Sequence, residues 1–388
     1  MPEDGTENFD RVWERDYTDS VKWRGASRKF GRDVLPMWVA DMDFPVADCI
    51  TGALSRRIAH PIYGYPDHDL EVQESAARWL GQRYQWFPDP ADLLLIHGVL
   101  PGLFAAVQAF TEPGDAIAVL SPVYPPFYEA AENGQRRLVR VPLVEDGHGW
   151  YRMNFLQLEK VLPQVRMLLL CSPHNPVGRV WTREELEHLV RLCSQHGVQI
   201  VSDEIHADLA GENPPHTPLP MIDGGCIYLG SATKSFNIAG IGGAFAWAGG
   251  SGKKNHYLAQ LRRCRTLGMN TLAKTASQAA WDGGAGWIHA LQEYLRQNAG
   301  YLDSFLRESL PGIRFRPPEF GYLAWLDLRA LGLSDAAVAS RLLSAGLGLN
   351  LGPDFGPEGS GFVRLNYGTP APVLRQGMAL LGKAFGQD

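Results

Sequence analysis

No stretch of this 388-residue chain is apolar for long enough to span a bilayer. The longest apolar runs, Met167 to Cys171 and Ile238 to Trp247, are far too short, and the second is interrupted by glycine. Basic runs are missing as well. The 36 Lys and Arg stand against 42 Asp and Glu, a net charge of −6 with both signs scattered, so nucleic acid is not an expected partner. The five cysteines (Cys49, Cys171, Cys193, Cys226, Cys264) show no paired C-x-x-C spacing. That argues against a disulfide framework and a structural zinc site, and leaves core thiols as the simplest reading. Met1 to Asp10 is acidic and polar, without the apolar centre of a secretory signal, so the expected location is cytoplasmic. No repeat or low-complexity tract interrupts the pattern. What is present, 45% hydrophobic and 20% charged residues, suits a globular protein with one or two sizeable cores.

The order of apolar runs and breakers predicts an alternating architecture. Leu93 to Ile96 reads as a strand, His97-Gly98 as a turn, and Pro101 to Phe110 as a helix with proline in its first turn. Ala116 to Leu120, Met167 to Cys171, Val198 to Ser202 and Cys226 to Leu229 read as further buried strands, and Arg183 to His196 as a helix capped by Thr182. Continuously apolar strands separated by helices imply a mainly parallel sheet covered on both faces. Residues 46 to 285 are therefore expected to form a large α/β domain. Beyond it, a helix over Trp287 to Leu310, strands at Gly321 to Asp327 and Gly361 to Asn366, and a helix from Ser334 suggest a smaller α+β domain, residues 286 to 388 completed by 1 to 45.

Ligands of open α/β sheets sit beyond the carboxyl ends of the strands, and reactive residues are concentrated there. Asp203 follows Val198 to Ser202, Asn175 lies in the loop after Cys171, Gly98 follows Ile96, and Ser231 to Lys234 follow Leu229. A lysine beside an acid and a glycine-led helix start suggests a Schiff-base site for pyridoxal phosphate. Lys234 would bond the cofactor and later act as the base, Asp203 would hold the pyridine nitrogen protonated, and Asn175 would donate to the phenolate oxygen. The backbone of Gly98, Val99 and Leu100, with the hydroxyls of Ser231 and Thr233, would cradle the phosphate. Tyr124 would lie against the ring, and Arg364 would grip a substrate carboxylate. Each has a plainer reading: a surface lysine, an acid paired with arginine, an Asn-Pro turn, a tight glycine turn, a structural aromatic, an interface ion pair. The same holds for Tyr63 and Tyr65, in the proline-bounded loop Pro61-Ile-Tyr-Gly-Tyr-Pro. Asp203, Glu204, His206 and Asp208 crowd six residues, yet they complete no recognised ligand set, so no metal is expected and His206 is read as a partner near the ring.

Together the motifs resemble the fold-type I pyridoxal-phosphate enzymes of the class I/II aminotransferase group, and within it the MalY/PatB-type cystathionine β-lyases, or C–S lyases. The resemblance runs in order through Asn8-Phe-Asp, Ser20-Val-Lys-Trp, Leu35-Pro-Met-Trp-Val-Ala-Asp-Met-Asp-Phe, Tyr63-Gly-Tyr, Pro122-Val-Tyr-Pro-Pro-Phe, Ser172-Pro-His-Asn-Pro-Val-Gly-Arg-Val-Trp, Ser202-Asp-Glu-Ile-His, Thr233-Lys-Ser-Phe-Asn and Arg364-Leu-Asn-Tyr. His206 stands where general aminotransferases of the group usually carry tyrosine. The resemblance implies a type I transferase fold, an α/β large domain with a mainly parallel seven-stranded sheet plus the smaller α+β domain, and pyridoxal 5'-phosphate as cofactor. It implies the roles given above for Lys234, Asp203, Asn175, Tyr124, Ser231 and Arg364, with Ala40 as a further substrate contact. Tyr65, and with it Tyr63, would reach a neighbouring subunit's site, so the resemblance implies a homodimer with shared active sites.

Three departures stand out. Gly242 occupies the place, eight positions after the lysine, where many aminotransferases carry a phosphate-binding arginine. Thr233-Lys-Ser exchanges the two hydroxyl residues around the lysine, and Phe320-Gly321 replaces small residues before Tyr322. The expected activity is β-elimination from cystathionine or another L-cysteine S-conjugate, giving a thiol, pyruvate and ammonia. An aminotransferase of the same fold, or a lyase for a bulky S-conjugate, is the alternative. A cofactor-sensing regulator is disfavoured, since no helix-turn-helix element or basic patch accompanies the motifs.

Overall fold

The computed structural model describes residues 8–67 and 69–386; the first seven residues of the acidic Met1 to Asp10 segment lie outside them. Seven strands form the central sheet, in the spatial order Leu94–Ile96, Ala244–Ala248, Ile227–Gly230, Gln199–Asp203, Met167–Cys171, Ala116–Ser121 and Arg137–Pro142. Ala244–Ala248 runs antiparallel to both neighbours, and the remaining pairs are parallel. The middle strands are apolar throughout because each face meets its own core. Ile117, Val119, Met167 and Leu169 pack with Leu103 and Ala106 of helix Val99–Phe110 and with Tyr257 and Leu261 of helix Ser251–Arg263. Their neighbours Ala118, Leu120, Leu168 and Leu170 pack with Leu186, Leu189 and Leu192 of helix Arg183–Gln195 on the other side. That helix starts where the sequence indicates, with Thr182 and Glu185 closing a capping box.

Two of the seven strands are not evident from hydropathy. Ala244–Ala248 lies in a glycine-dense run, and Arg137–Pro142 is an edge strand whose arginines face outward. A second, antiparallel sheet orders Arg314–Phe315, Leu323–Asp327, Phe362–Asn366 and Asn350–Leu351. The 25-residue helix Ala285–Ser309 and the helices Asp335–Ala345 and Ala371–Phe385 accompany it. Near the N-terminus, Leu35–Pro36 pairs with Leu347–Gly348, which ties the early chain to this C-terminal part and leads the strip after Pro36 toward the large sheet. Cys171, Cys193 and Cys226 are buried thiols, whereas Cys49 and Cys264 are half-buried. No helix among the described residues is long and apolar enough to cross a membrane.

Candidate active site

Parallel strands align their carboxyl ends, and the loops leaving those ends enclose a cavity of about 300 Å³. Ala40, Gly98, Val99, Leu100, Tyr124, Asn175, Asp203, His206, Thr233 and Lys234 all line it. Asp203 ends its strand at the cavity, where Oδ1 accepts from the Ile205 amide (3.1 Å). Burial pushes its carboxyl up to about 7, reinforced by Glu204 and opposed by Lys234. The other acids of the segment turn away. Glu204 accepts from Ser202 Oγ (2.7 Å) and the Leu219 amide (3.0 Å) and meets His216 Nε2 (2.6 Å), while Asp208 accepts from Trp79 Nε1 (2.9 Å). Glu204 and Asp208 thus bond partners of their own, away from Asp203. His206 is buried against Phe320, with ring centroids 5.4 Å apart and Nδ1 unpartnered. Burial, with Lys234 and Arg364 adding to it, pushes its imidazole down to about 3, so it is neutral.

Lys234 donates from Nζ to the Ala40 carbonyl (2.7 Å), and burial lowers its proton affinity below that of an ordinary lysine. Arg364 is buried and held from three sides: Nη1 donates to Asn175 Oδ1 (3.1 Å), and Nη2 to the Trp38 carbonyl (3.0 Å) and Asn350 Oδ1 (3.2 Å). Its Nε has no partner. Burial pushes the guanidinium down to about 10, still charged at neutral pH. Because Arg364 takes the oxygen of Asn175, the amide nitrogen is the end of that side chain left for the cavity.

Helix Val99–Phe110 begins at the cavity wall, and its N-cap Gly98 supplies no side-chain cap, so first-turn amides remain for an anion. Gly242 adds a wall without a side chain, in a left-handed conformation (φ 79°) that favours glycine. The hydroxyls divide the work. Ser231 donates to the Gly243 carbonyl (2.7 Å) and meets Thr233 Oγ1 (2.8 Å), and it is Thr233 that lines the cavity. Tyr63 and Tyr65 are not brought to this cavity: Tyr63 donates to the Ile58 carbonyl (2.9 Å), and Tyr65 is fully exposed.

Sequence reasoning did not single out Tyr322, Asn237 or Asn366. Tyr322 donates to the Ala40 carbonyl (3.2 Å), and the two asparagines bond the strip that carries it. Asn237 and Asn366 stand inside the motifs Thr233-Lys-Ser-Phe-Asn and Arg364-Leu-Asn-Tyr, which was the available signal.

The donor set fits pyridoxal 5'-phosphate. The buried Asp203 carboxyl accepts a single described hydrogen bond, the helix start is uncapped, and the Asn175 amide nitrogen and the Lys234 amine share the same cavity. The sequence profile of the family described as aminotransferase class I and II matches residues 33–379. The chain belongs to that family. Cystathionine beta-lyase PatB of Bacillus subtilis is 40% identical over 97% of this chain and 100% of PatB. Protein MalY of Escherichia coli is 35% identical over 97% of this chain and 98% of MalY. The solved structure of a PLP-bound C-S lyase from Staphylococcus hominis superposes with a TM-score of 0.91 at 29% identity, covering 98% of both chains. With Arg364 in the substrate-carboxylate role that the resemblance implies, Arg364→Lys is expected to lower kcat/KM about 10- to 100-fold, mainly through KM, because one charged contact replaces a planar fork. Steady-state kinetics over a substrate range separate that result from a fall in kcat alone.

Proposed function

We propose that this chain is a pyridoxal 5'-phosphate-dependent carbon–sulfur β-lyase that converts an L-cysteine S-conjugate, cystathionine among them, to a thiol, pyruvate and ammonia. Its full-length similarity to cystathionine beta-lyase PatB carries this reading over transamination. When bound, pyridoxal phosphate supplies an electron-withdrawing ring that acidifies the Cα hydrogen of the attached amino acid. Lys234 would hold the cofactor covalently and serve as the base for the Cα proton, and its weakened hold on its own proton suits a base. Arg364 holds the α-carboxylate and so fixes which face of Cα meets the Lys234 amine. With the cofactor bound, Asp203 would place negative charge at its ring nitrogen and Asn175 would donate to its ring oxygen, while Tyr124 and neutral His206 line the same cavity. The amides of Val99 and Leu100 and the Thr233 hydroxyl would hold its phosphate, and Ser231 orients Thr233. As the Cβ–S bond breaks, the sulfur leaves with the electron pair, and the proton on Lys234 is available to the departing thiolate.

The large domain is assigned to residues 46–285 and the small one to 1–45 with 286–388, so that Arg364 and Lys234 approach the substrate from different domains. The active unit is a cytoplasmic homodimer, in which Tyr65, flanked by Tyr63, enters the partner's site; the exposure of Tyr65 and the buried thiols support this. Mixing subunits tests it. After exchange, inactive Lys234→Ala and Tyr65→Ala proteins are expected to recover about one quarter of wild-type activity, since half the dimers then hold one complete site. No recovery, with exchange verified, would show that Tyr65 acts within its own subunit, and a Tyr65→Ala protein active on its own would show that Tyr65 does not serve the site. The function itself is tested by incubating the loaded protein with L-cystathionine or an S-alkyl-L-cysteine. Thiol and pyruvate in equal amounts support elimination; thiol-free keto acid contradicts it.

A further inference from the structure

The strip Trp38 to Phe44 passes the cavity with almost every carbonyl occupied. Asn366 Nδ2 bonds Val39 O (2.6 Å) and Asp41 O (2.5 Å), and Asn237 Nδ2 bonds Met42 O (3.0 Å) and Phe44 O (2.8 Å). Between them Ala40 O accepts from Lys234 and Tyr322, while Trp38 O accepts from Arg364. One short strip therefore sets both the amine and the guanidinium on which the proposed reaction depends.

The same strip carries two acids clasped by cations from the preceding segment. Lys22 has no exposed surface, and its Nζ lies 2.6 Å from Asp43 Oδ2 and 3.9 Å from Asp41 Oδ1. Arg15 lies 2.6 Å from Asp43 and 3.1 Å from Asp41, and Trp23 Nε1 donates to Asp43 Oδ1 (2.7 Å). Burying a lysine completely is costly, and an ion pair at such a place rarely adds net stability over apolar packing. The chemistry described so far makes no use of it. Its neighbours point to the use, because Asp41 directly follows the residue whose carbonyl holds Lys234.

We propose that Arg15, Lys22, Asp41 and Asp43 form a charge latch that fixes the strip so that Ala40 O receives a hydrogen of the Lys234 amine, and whose two cations offset the field of Asp41 at that amine. The four are positioning residues. Burial disfavours the charged form of Lys234 most, Asp41 on the strip and Asp203 at the sheet favour it, and buried Arg364 opposes it. His206 in the same cavity is neutral. Removing Lys22 leaves Asp43 ionised by Arg15 and Trp23, so the strip becomes more negative and Lys234 holds its proton more tightly. Removing the Asp41 charge, with Lys22 still paired to Asp43, does the opposite.

The proposal rests on Lys234 joining pyridoxal phosphate, and its test reads the pH midpoint of the visible absorbance of the loaded protein rather than catalysis. K22M is expected to raise that midpoint by about half a pH unit, and D41N to lower it by a similar amount. K22M/D41N should return close to wild type. R15M, at a half-buried site, removes a cation in the same sense as K22M, so the sign test holds even where K22M does not fold. A merely structural role lowers thermal stability and cofactor content in every variant without opposite shifts, and that result overturns the latch while leaving the lyase reading intact. A wild-type protein that binds no pyridoxal phosphate overturns both.

Discussion

Lys234→Ala is expected to lower pyruvate release from a cysteine S-conjugate by at least about ten-thousand-fold, because in the proposed reaction one amine serves as attachment point and base. The folded state should survive. Lys234 makes one hydrogen bond, to Ala40 O, and burial already disfavours its charge, so the uncharged side chain relieves a desolvation cost while leaving a small void. Thermal melting of the variant prepared without cofactor should lie near or above the wild-type value. Added primary amines should restore a little activity by replacing the base, with a rate that follows amine basicity. A variant that retained more than about a hundredth of wild-type turnover would place the base elsewhere.

Asp203→Asn is expected to produce the second-largest loss, about a thousand-fold in kcat, since a neutral amide cannot hold a ring nitrogen protonated. Its stability effect has the opposite sign and depends on pH. The carboxyl sits at about 7 in the fold against an ordinary value of 3.8, chiefly through burial. The folded state therefore binds this proton more tightly than the unfolded chain does. Its contribution to stability is intact below about pH 4 and is lost progressively as pH rises toward 7. His206 runs the other way: held down to about 3 against 6.5, it costs stability as pH falls below 6.5. In protein prepared without cofactor, Asp203→Asn should thus raise the urea midpoint at pH 8 and leave it nearly unchanged at pH 4. Equal shifts at both pH values would mean that the carboxyl is not held up by its surroundings.

The parts of the site that local sequence could reveal are those governed by local physics. Met167–Cys171 and Gln199–Asp203 are buried on both faces, so their apolar runs mark them as strands, and the residues just past them are marked in turn as strand-end groups. Thr182 with Glu185 is likewise a local signal, because a capping box closes within four residues. Ala244–Ala248 was hidden by flanking glycines, whose left-handed conformations at Gly242 and Gly243 serve a turn that sequence alone does not distinguish from a loop. The division of labour between Ser231 and Thr233 depends on the Gly243 carbonyl twelve residues on. The strip and its latch depend on contacts about 20 to 330 residues apart in sequence, from Lys22 with Asp43 to Asn366 with Val39, and no local pattern announces them. The strand-end rule gathered Asp203, Asn175 and Lys234, and the family resemblance strengthened their roles and that of Arg364, since each residue alone has a commoner structural use.

β-Elimination and amino-group transfer would draw on the same residues, so the fate of the cofactor distinguishes them. The deciding measurement is the number of pyruvate molecules released per subunit when the loaded protein meets a cysteine S-conjugate with no keto acid present. Many turnovers, matched by free thiol, are the predicted result, because elimination returns the cofactor to its starting form. A single turnover that bleaches the visible band and resumes only on adding a keto acid would contradict the account and make the protein an aminotransferase.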